Sequence, residues 1–333
     1  MKHRDGILIF RIWAAALAIA AGASSAWADL SCKSHKGFSA VDLSQPVTSI
    51  TTRDGRSGVA ALKGVGVKTV IRYYNHAGDT ISCKTLLPPE SDAIIEAGLS
   101  IATVFQHEGH NPETFFAPGR GAKDARRAIH LANINGQPAG SAIYFAVDGV
   151  DQTIRDMVFE HGMSDGHSMS SKRTRPLLRA DRAKARHIRH YARFLKYYRR
   201  IFGKDAGDIR AADMLPFVKR YFRALNAEMK GSGYKVGAYG SGLVCATLLE
   251  EKLADYCWLA QSKGWPGYDA FHATRKWTLA QEKSTACGNW KYRGIETVRI
   301  DFNRVNTAKA DFGQWATKGP AQQSDIAPAD CGG

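Results

Sequence analysis

The chain has 333 residues and a formal net charge of +15. Most of this charge lies in residues 172–204, which contain thirteen Lys or Arg and only Asp181 as an acidic residue. Residues 29–171 and 205–333 together are nearly neutral, so the charge excludes a domain that is basic throughout. The length is enough for one large α/β domain with a substantial core.

The first 28 residues have the pattern of a secretory signal peptide. A basic start precedes an apolar stretch, 7–23, and the small residues Ala26 and Ala28 follow it. Arg11 interrupts the apolar stretch, which argues against an uncleaved membrane anchor, and no later stretch is apolar and long enough to span a bilayer. We predict cleavage near Ala28, export to the periplasm or the medium, and one mature domain at 29–333.

All six cysteines lie in the predicted mature domain. An even number in an exported chain favours disulfides, but the spacing does not choose among the pairings. Cys245 and Cys257 have apolar neighbours and are also consistent with buried free thiols. No pair is spaced CxxC, so the sequence predicts no zinc site, and we expect neither a metal nor a cofactor.

Strands and helices alternate through most of the chain. Predicted strands are 37–42, 67–73, 99–106, 142–148, 234–239 and 256–261, with helices at about 59–64, 88–98, 123–133, 215–230 and 244–252. Two further candidate strands, 276–281 and 296–301, have no clear helix between them. Eight strands in this order predict an irregular TIM-type (β/α)8 barrel. A doubly wound open sheet is the alternative, but no GxGxxG or Walker-type loop supports it.

Residues 152–212 do not fit the alternation. Ile188, Tyr191 and Leu195 recur at helical spacing among basic residues, which indicates a basic helical insertion after the fourth strand. Three interpretations of residues 172–204 remain open: a solvated helix on the barrel, a surface for anionic polymers, lipid headgroups or acidic glycan, or a nucleic-acid site. Export argues against the nucleic acid.

Carboxylates stand at the ends of three predicted strands: Asp42, Asp148 and Asp301. The carboxyl ends of barrel strands meet at one mouth, so we expect these three side chains to lie together. Glycoside hydrolysis commonly uses two carboxyl groups, one to protonate the leaving oxygen and one as base or nucleophile. Asp148 follows a continuous apolar run typical of a buried parallel strand. Glu108 and Asp151 are further candidates for its partner.

The strand ends also carry aromatic, amide and basic side chains that suit sugar recognition by ring stacking and bidentate hydrogen bonds. The predicted sugar-binding residues are Arg72, Tyr73, Gln106, Tyr239, Trp258, Gln261 and Asn303. For Trp258, simple packing in the core is an equally open alternative. The histidines at 107 and 110 lack the HExxH spacing, so they do not predict a metal helix.

Several short motifs resemble, in this order, a bacterial glycoside-hydrolase-like domain of unknown function, a barrel family related to family 25 muramidases. They are IRYY at 71–74, GAKDA at 121–125, IYFAVD at 143–148, GAYGS at 237–241, WLA at 258–260 and IDFN at 300–303. The resemblance covers about 36–150 and 213–304. It implies a TIM-type barrel that acts on peptidoglycan or another cell-envelope glycan.

Two positions depart from the family pattern. Relatives usually carry a second acid two residues after the strand-end Asp, where this chain has Val150, with Asp151 one place later. Ser39 replaces the acid that many relatives place after Gly-Phe, although Asp42 and its neighbours resemble the muramidase Asp-x-Ser. We therefore expect an exported glycoside-hydrolase-like protein or, alternatively, a non-catalytic glycan- or envelope-binding barrel that has lost the acid pair.

Overall fold

The computed structural model describes residues 38–76, 83–149, 192–193, 195–261, 265–324 and 326. Its strands are β1 (Ala40–Asp42), β2 (Thr51–Thr52), β3 (Thr69–Tyr74), β4 (Ser100–Phe105), β5 (Ala142–Ala146), β6 (Lys235–Gly240), β7 (Tyr256–Leu259), β8 (Leu279–Cys287), β9 (Trp290–Lys291) and β10 (Val298–Val305). Its α-helices include α1 (Gly58–Gly64), α2 (Pro88–Glu96), α3 (Glu113–Phe116), α4 (Arg120–Ile134), α5 (Ala211–Met229), α6 (Gly242–Glu250) and α7 (Tyr268–Thr274). Residues 195–202 are also helical.

Eight strands close into a barrel in the order β1, β10, β8, β7, β6, β5, β4, β3, which confirms the predicted irregular TIM-type fold. Neighbouring strands are parallel except at β10, which runs antiparallel to both β1 and β8. Antiparallel strands can be joined by a short link, whereas parallel strands need a crossover. The missing helix before the last strand therefore reflects a reversal of the chain.

The last two barrel strands differ from their predicted bounds. β8 extends to Cys287 and β10 to Val305, and both are longer than the candidate strands at 276–281 and 296–301. A register shift lies between Phe302 and Asn303 of β10, whose partners on β8 are Lys283 and Gln281. The extra residue at this β-bulge turns both Gln281 and Ser284 to the same side as Asp301 and Asn303.

Large side chains fill the barrel interior. Tyr144 of β5 is fully buried, and its hydroxyl donates to the Phe312 carbonyl at 2.8 Å. A Cβ at Gly237 would lie 2.4 Å from the Tyr144 ring, so only glycine fits opposite this tyrosine. After β10 the chain crosses the amino end of the barrel, where Trp315 and Ile101 exchange two backbone hydrogen bonds of 2.8 Å.

The helices pack around the barrel as amphipathic elements. α5 begins at Ala211, four residues before its predicted start, because the Arg210 N–H donates to the Asp213 carboxylate at 2.7 Å and caps the helix. α5 buries Phe222 and Leu225, and it packs beside α4. The ring of helices leaves the carboxyl ends of the parallel strands as one mouth of the barrel.

Cys245 of α6 and Cys257 of β7 form a disulfide, so the alternative of free thiols is wrong for this pair. Within the described ranges, none of the helices is apolar over a length that would cross a bilayer. The predicted signal peptide, Asp151 and the insertion up to residue 191 lie outside the described residues.

Candidate functional site

The site is built from strand positions that alternate between the barrel interior and the surrounding helices. Ala40, Ile71, Val104 and Ala146 face the interior, and the residue two places later on each strand or just beyond it faces the same way. The polar side chains gathered at the mouth by this alternation are Asp42, Tyr73, Gln106, Asp148, Tyr239, Gln281, Asp301 and Asn303. They include the three predicted carboxylates.

Asp42 and Asp301 form a carboxyl pair joined by one amide. Gln281 Nε2 lies 3.2 Å and 3.3 Å from the two Asp42 oxygens and 3.2 Å from Asp301 Oδ2. Asp301 lies in the middle of β10 rather than at a strand end as predicted. Because β10 runs antiparallel, its middle nevertheless lies directly opposite Asp42.

Burial makes the Asp42 carboxyl hold its proton to higher pH. Asp42 is only 3% exposed, and burial together with the negative charge of Asp301 raises its pKa to about 7. Hydrogen bonds from Asn303, Tyr73 and Gln281 act in the opposite direction. The Asp301 pKa is also raised by burial, while a hydrogen bond from Ser284 and the charge of Arg299 lower it. Protonation of Asp42 relieves the repulsion between its buried carboxyl group and that of Asp301.

A buried relay orients Asp42. Trp258 Nε1 donates to Asn303 Oδ1 at 2.7 Å, and Asn303 Nδ2 donates to Asp42 Oδ1 at 2.6 Å. Tyr73 donates its hydroxyl to Asp42 Oδ2 at 3.0 Å. Trp258 and Asn303 are both at most 1% exposed, so their surroundings favour a role in positioning Asp42 over direct contact with a sugar.

Asp148 lies two residues beyond the end of β5 and has a separate set of partners. Gln106 Nε2 donates to its Oδ2, and its backbone N–H donates to the Gly109 carbonyl at 2.9 Å. Burial raises the Asp148 pKa, whereas the Gln106 hydrogen bond and the charges of Lys84 and His110 lower it. The charges of Lys84 and His110 therefore act on Asp148, whereas that of Arg299 acts on Asp301.

Two tyrosines connect the carboxylates. Burial raises the pKa of Tyr73 well above its usual value, and the charges of Asp42 and Asp148 raise it further. Burial also raises the pKa of Tyr239 well above its usual value, and the charges of Asp148, Asp42 and Asp301 raise it further. The Tyr239 hydroxyl donates to Gln281 Oε1 at 2.9 Å. Asp42 and Asp148 therefore act on both phenols, and Asp301 acts on Tyr239.

Several predicted site residues lie outside this cluster. Arg72 faces the helices, where its Nε lies 2.8 Å from Glu90 Oε1 of α2 and its other nitrogens reach Glu90 Oε2 and the Leu43 carbonyl. Its neighbour Tyr73 points inward, and adjacent residues of a strand cannot share a face. Glu108 is exposed and pairs with Arg120 at 3.3 Å. Gln261 is exposed beyond the end of β7.

The structure also adds residues that the sequence did not single out. Lys84 reaches the mouth from the segment before α2. Trp265 packs on Gly149, where a Cβ would lie 2.8 Å from the indole ring, so this half-buried indole adjoins the residue after Asp148. Lys84 follows a cysteine in an irregular segment, and no periodicity points to it. In the described part of the chain, no three His, Cys, Asp or Glu residues converge as a metal site requires.

Comparison with known families agrees with the resemblance noted from the sequence. Residues 60–165 match the family described as Rv2525c-like, glycoside hydrolase-like domain. This match includes Tyr73, Gln106 and Asp148 of the cluster, and it confirms the resemblance to a glycoside-hydrolase-like domain.

Two curated proteins of Bacillus subtilis (strain 168) are similar over part of their length. The chain is 33% identical to the uncharacterized protein FadG over 102 residues and 31% identical to the uncharacterized protein YbfG over 105 residues. The matches cover 31% and 30% of this chain but 17% and 14% of the relatives. The chain thus matches less than a fifth of the length of either protein.

Among solved structures, the chain is similar to the Tat-secreted protein Rv2525c of Mycobacterium tuberculosis, determined in complex with L-tartrate. The alignment has a TM-score of 0.48 and 16% sequence identity, and it covers 84% of this chain and 99% of that chain.

Proposed function

Because residues 60–165 match a glycoside hydrolase-like domain, we propose that this chain is an exported protein that cleaves peptidoglycan or another cell-envelope glycan. The observation that supports this proposal is the group of three carboxyl groups at the barrel mouth. Asp148 is three strands away from Asp42 around the barrel, and Asp42 is paired with Asp301. Two carboxyl groups in different surroundings are what acid–base cleavage of a glycosidic bond needs.

The environments of the carboxyl groups assign their roles in this proposal. Asp42 keeps its proton near neutral pH and is the general acid that protonates the leaving oxygen, with Asp301 as its coupled partner. Asp148 receives a hydrogen bond from Gln106 and lies near Lys84 and His110, which favour its carboxylate form. It is therefore the base or nucleophile, and the rings of Tyr73, Tyr239 and Trp265 offer faces for sugar.

Export is part of the same proposal. The pattern of the first 28 residues predicts a cleaved signal peptide. The disulfide between Cys245 and Cys257 fits an oxidising compartment, where such bonds persist. Peptidoglycan is exposed to proteins of that compartment, which makes it the first substrate to test.

The test is digestion of purified peptidoglycan by the mature protein, with soluble fragments measured by mass. Wild type is expected to release fragments, and Asp148→Asn to lower the rate by at least about a hundredfold, since the amide supplies neither a base nor a nucleophile. Asp208→Asn, an exposed aspartate, is the matched control and should keep the wild-type rate. Undiminished cleavage by Asp148→Asn would refute the role of Asp148.

A non-catalytic glycan- or envelope-binding barrel is the second candidate. Val150 stands where relatives carry a second acid after the strand-end Asp. Glu108, a further candidate for the partner of Asp148, pairs with Arg120 at the surface. Sedimentation of the protein with peptidoglycan, without release of any fragment by wild type, would favour this function over hydrolysis.

The basic segment 172–204 is proposed to hold anionic polymers or membrane surfaces of the envelope. In its described part, four basic side chains, Arg193, Lys196, Arg199 and Arg200, are exposed around Tyr197, which is 41% exposed. Arg199 pairs with Asp205 at 3.6 Å, a weak surface contact. A helix of this composition favours anionic surfaces through charge and an aromatic side chain.

A further inference from the structure

Lys84 is a buried cation within the carboxylate mouth. The residue is 7% exposed, and its Nζ donates to Gln106 Oε1 at 2.6 Å. The same ammonium lies 4.6 Å from the centre of the Tyr73 ring. Lysine is rarely buried without partners, because desolvation of an ammonium is costly. Here a carboxylate-rich site and an aromatic face offset that cost.

The segment that carries Lys84 is anchored beside β3. Cys83 is disulfide-bonded and has a φ of 64°, and the Leu86 N–H donates to the Tyr73 carbonyl at 2.8 Å. Thr85 forms an isolated bridge with Tyr73, and its hydroxyl donates to the Asn75 side chain. Lys84 is therefore held at the strand end from both sides, which fixes where its charge acts.

Gln106 transmits this position to Asp148. Its Oε1 accepts a hydrogen bond from Lys84 Nζ, which leaves its Nε2 to donate to Asp148 Oδ2. An amide oriented in this way cannot flip without placing its Nε2 against an ammonium. We propose that Lys84 is a positioning residue that, through Gln106 and its own charge, keeps Asp148 oriented and ionised.

This inference deepens the proposed function, since an ionised Asp148 is the base or nucleophile of that mechanism. It does not require that the chain be an enzyme. In the described part of the chain, the titratable groups that act on Asp148 or respond to it are Lys84, His110, Tyr73 and Tyr239. Of these, Lys84 has a hydrogen-bonded path to the Asp148 carboxylate, through Gln106.

The experiment is an NMR titration of the mature protein labelled with ¹³C at the aspartate carboxyl carbons, with Asp148 assigned by Asp148→Asn. Lys84→Met is expected to raise the titration midpoint of Asp148 by about one pH unit or more, because a cation within a few ångström favours the carboxylate. Lys84→Arg should restore most of the wild-type midpoint. Lys252→Met, an exposed lysine remote from the mouth, should leave it unchanged.

A natively folded Lys84→Met protein with the wild-type Asp148 midpoint overturns the proposal. If that variant does not fold, Gln106→Leu removes the relay while leaving the lysine, and an unchanged midpoint there overturns it equally. Because the titration needs no substrate, its result is separate from that of the digestion. If the wild-type protein cleaves no glycan, the proposed hydrolase activity is refuted. Lys84 could still determine the orientation and ionisation of Asp148.

Discussion

At the scale of single residues, burial does not act equally on the carboxyl groups of the mouth. Asp42 faces a second carboxyl group, and their repulsion adds to the cost of burying its charge. Asp148 instead faces Lys84 and His110, which offset part of that cost. Burial thus raises the pKa of both aspartates, while the charges of their neighbours act on the two pKa values in opposite directions.

The titration of Asp42 predicts a pH dependence of stability. Its folded pKa, about 7, exceeds the value of 3.8 expected when unfolded. The folded state therefore binds more protons between these values, and this contribution to stability is present below pH 4 and lost as the pH rises through 7. We expect urea unfolding at several pH values to show this loss in wild type only. As the pH rises from 4 to 7, the free energy of unfolding of Asp42→Asn should increase relative to that of wild type by up to about 1.4 kcal/mol per pH unit.

The informative quantity in that experiment is the slope of the free energy of unfolding against pH. Any hydrogen bond that Asp42→Asn loses is lost at every pH and shifts both ends of the series together. Asp208→Asn, at the protein surface, is the control and should run parallel to wild type. A parallel course for Asp42→Asn would show that Asp42 does not hold its proton in the folded state.

At the scale of elements, α4 fixes the loop that supports Asp148. Arg120 of α4 donates to Asp124 at 2.7 Å, to Glu108 at 3.3 Å and to the His107 carbonyl at 3.1 Å. The Gly109 carbonyl in the same loop accepts the Asp148 N–H. One side chain of a helix therefore joins the helix to the β4 loop, and that loop to the site.

Two arginines of α4 give a matched test of this arrangement. Asp124 is 1% exposed, so Arg120→Met leaves a buried carboxylate short of its cation and should lower the free energy of unfolding by about 3 kcal/mol. Arg126 pairs with Glu228 at the surface, and Arg126→Met should cost less than about 1 kcal/mol. Equal losses in urea unfolding would mean that the Arg120 contacts do not stabilise the loop.

The same elements explain what the sequence predicts and what it misses. Long apolar runs such as β5 predict their own strand, and alternation from Ala146 correctly points Asp148 inward. That alternation also excludes Arg72 and Tyr73 from sharing one face, so the predicted place of Arg72 at the mouth conflicts with its own strand period. The direction of β10 and the position of Lys84 depend on long-range pairing and an irregular segment, which local patterns do not encode.

At the scale of the whole molecule, the basic segment and the carboxyl groups of the barrel mouth belong to different parts of the chain. The carboxylates lie inside the barrel mouth, and the excess of positive charge lies in residues 172–204. Residues 29–171 and 205–333 together are almost neutral, so attraction to an anionic surface would act through that one segment. Such attraction is long-ranged at low salt and screened within about 10 Å at 0.1 M ionic strength.

A matched pair of fourfold variants tests this separation. Changing the basic residues exposed around Tyr197 to Gln should weaken sedimentation with phosphatidylglycerol-rich vesicles roughly a hundredfold or more, since each cation contributes about 1 kcal/mol. The changed residues are Arg193, Lys196, Arg199 and Arg200. The control changes four exposed basic residues elsewhere to Gln, namely Arg53, Lys123, Arg126 and Lys252. Equal weakening by both sets would assign binding to net charge alone.

The closure of the barrel by β10 makes the site a late product of folding. Asp42 and its hydrogen-bond partner Asn303 are separated by 261 residues, so their contact closes almost the longest loop available within the barrel. Contacts of such high sequence separation form slowly, because the chain loses much conformational entropy before the contact contributes any favourable energy. During synthesis, which proceeds from the amino end, Asp42 is made long before Asp301 and Asn303. The contact of Asp42 with Asp301 and Asn303 is therefore made only when the barrel is complete.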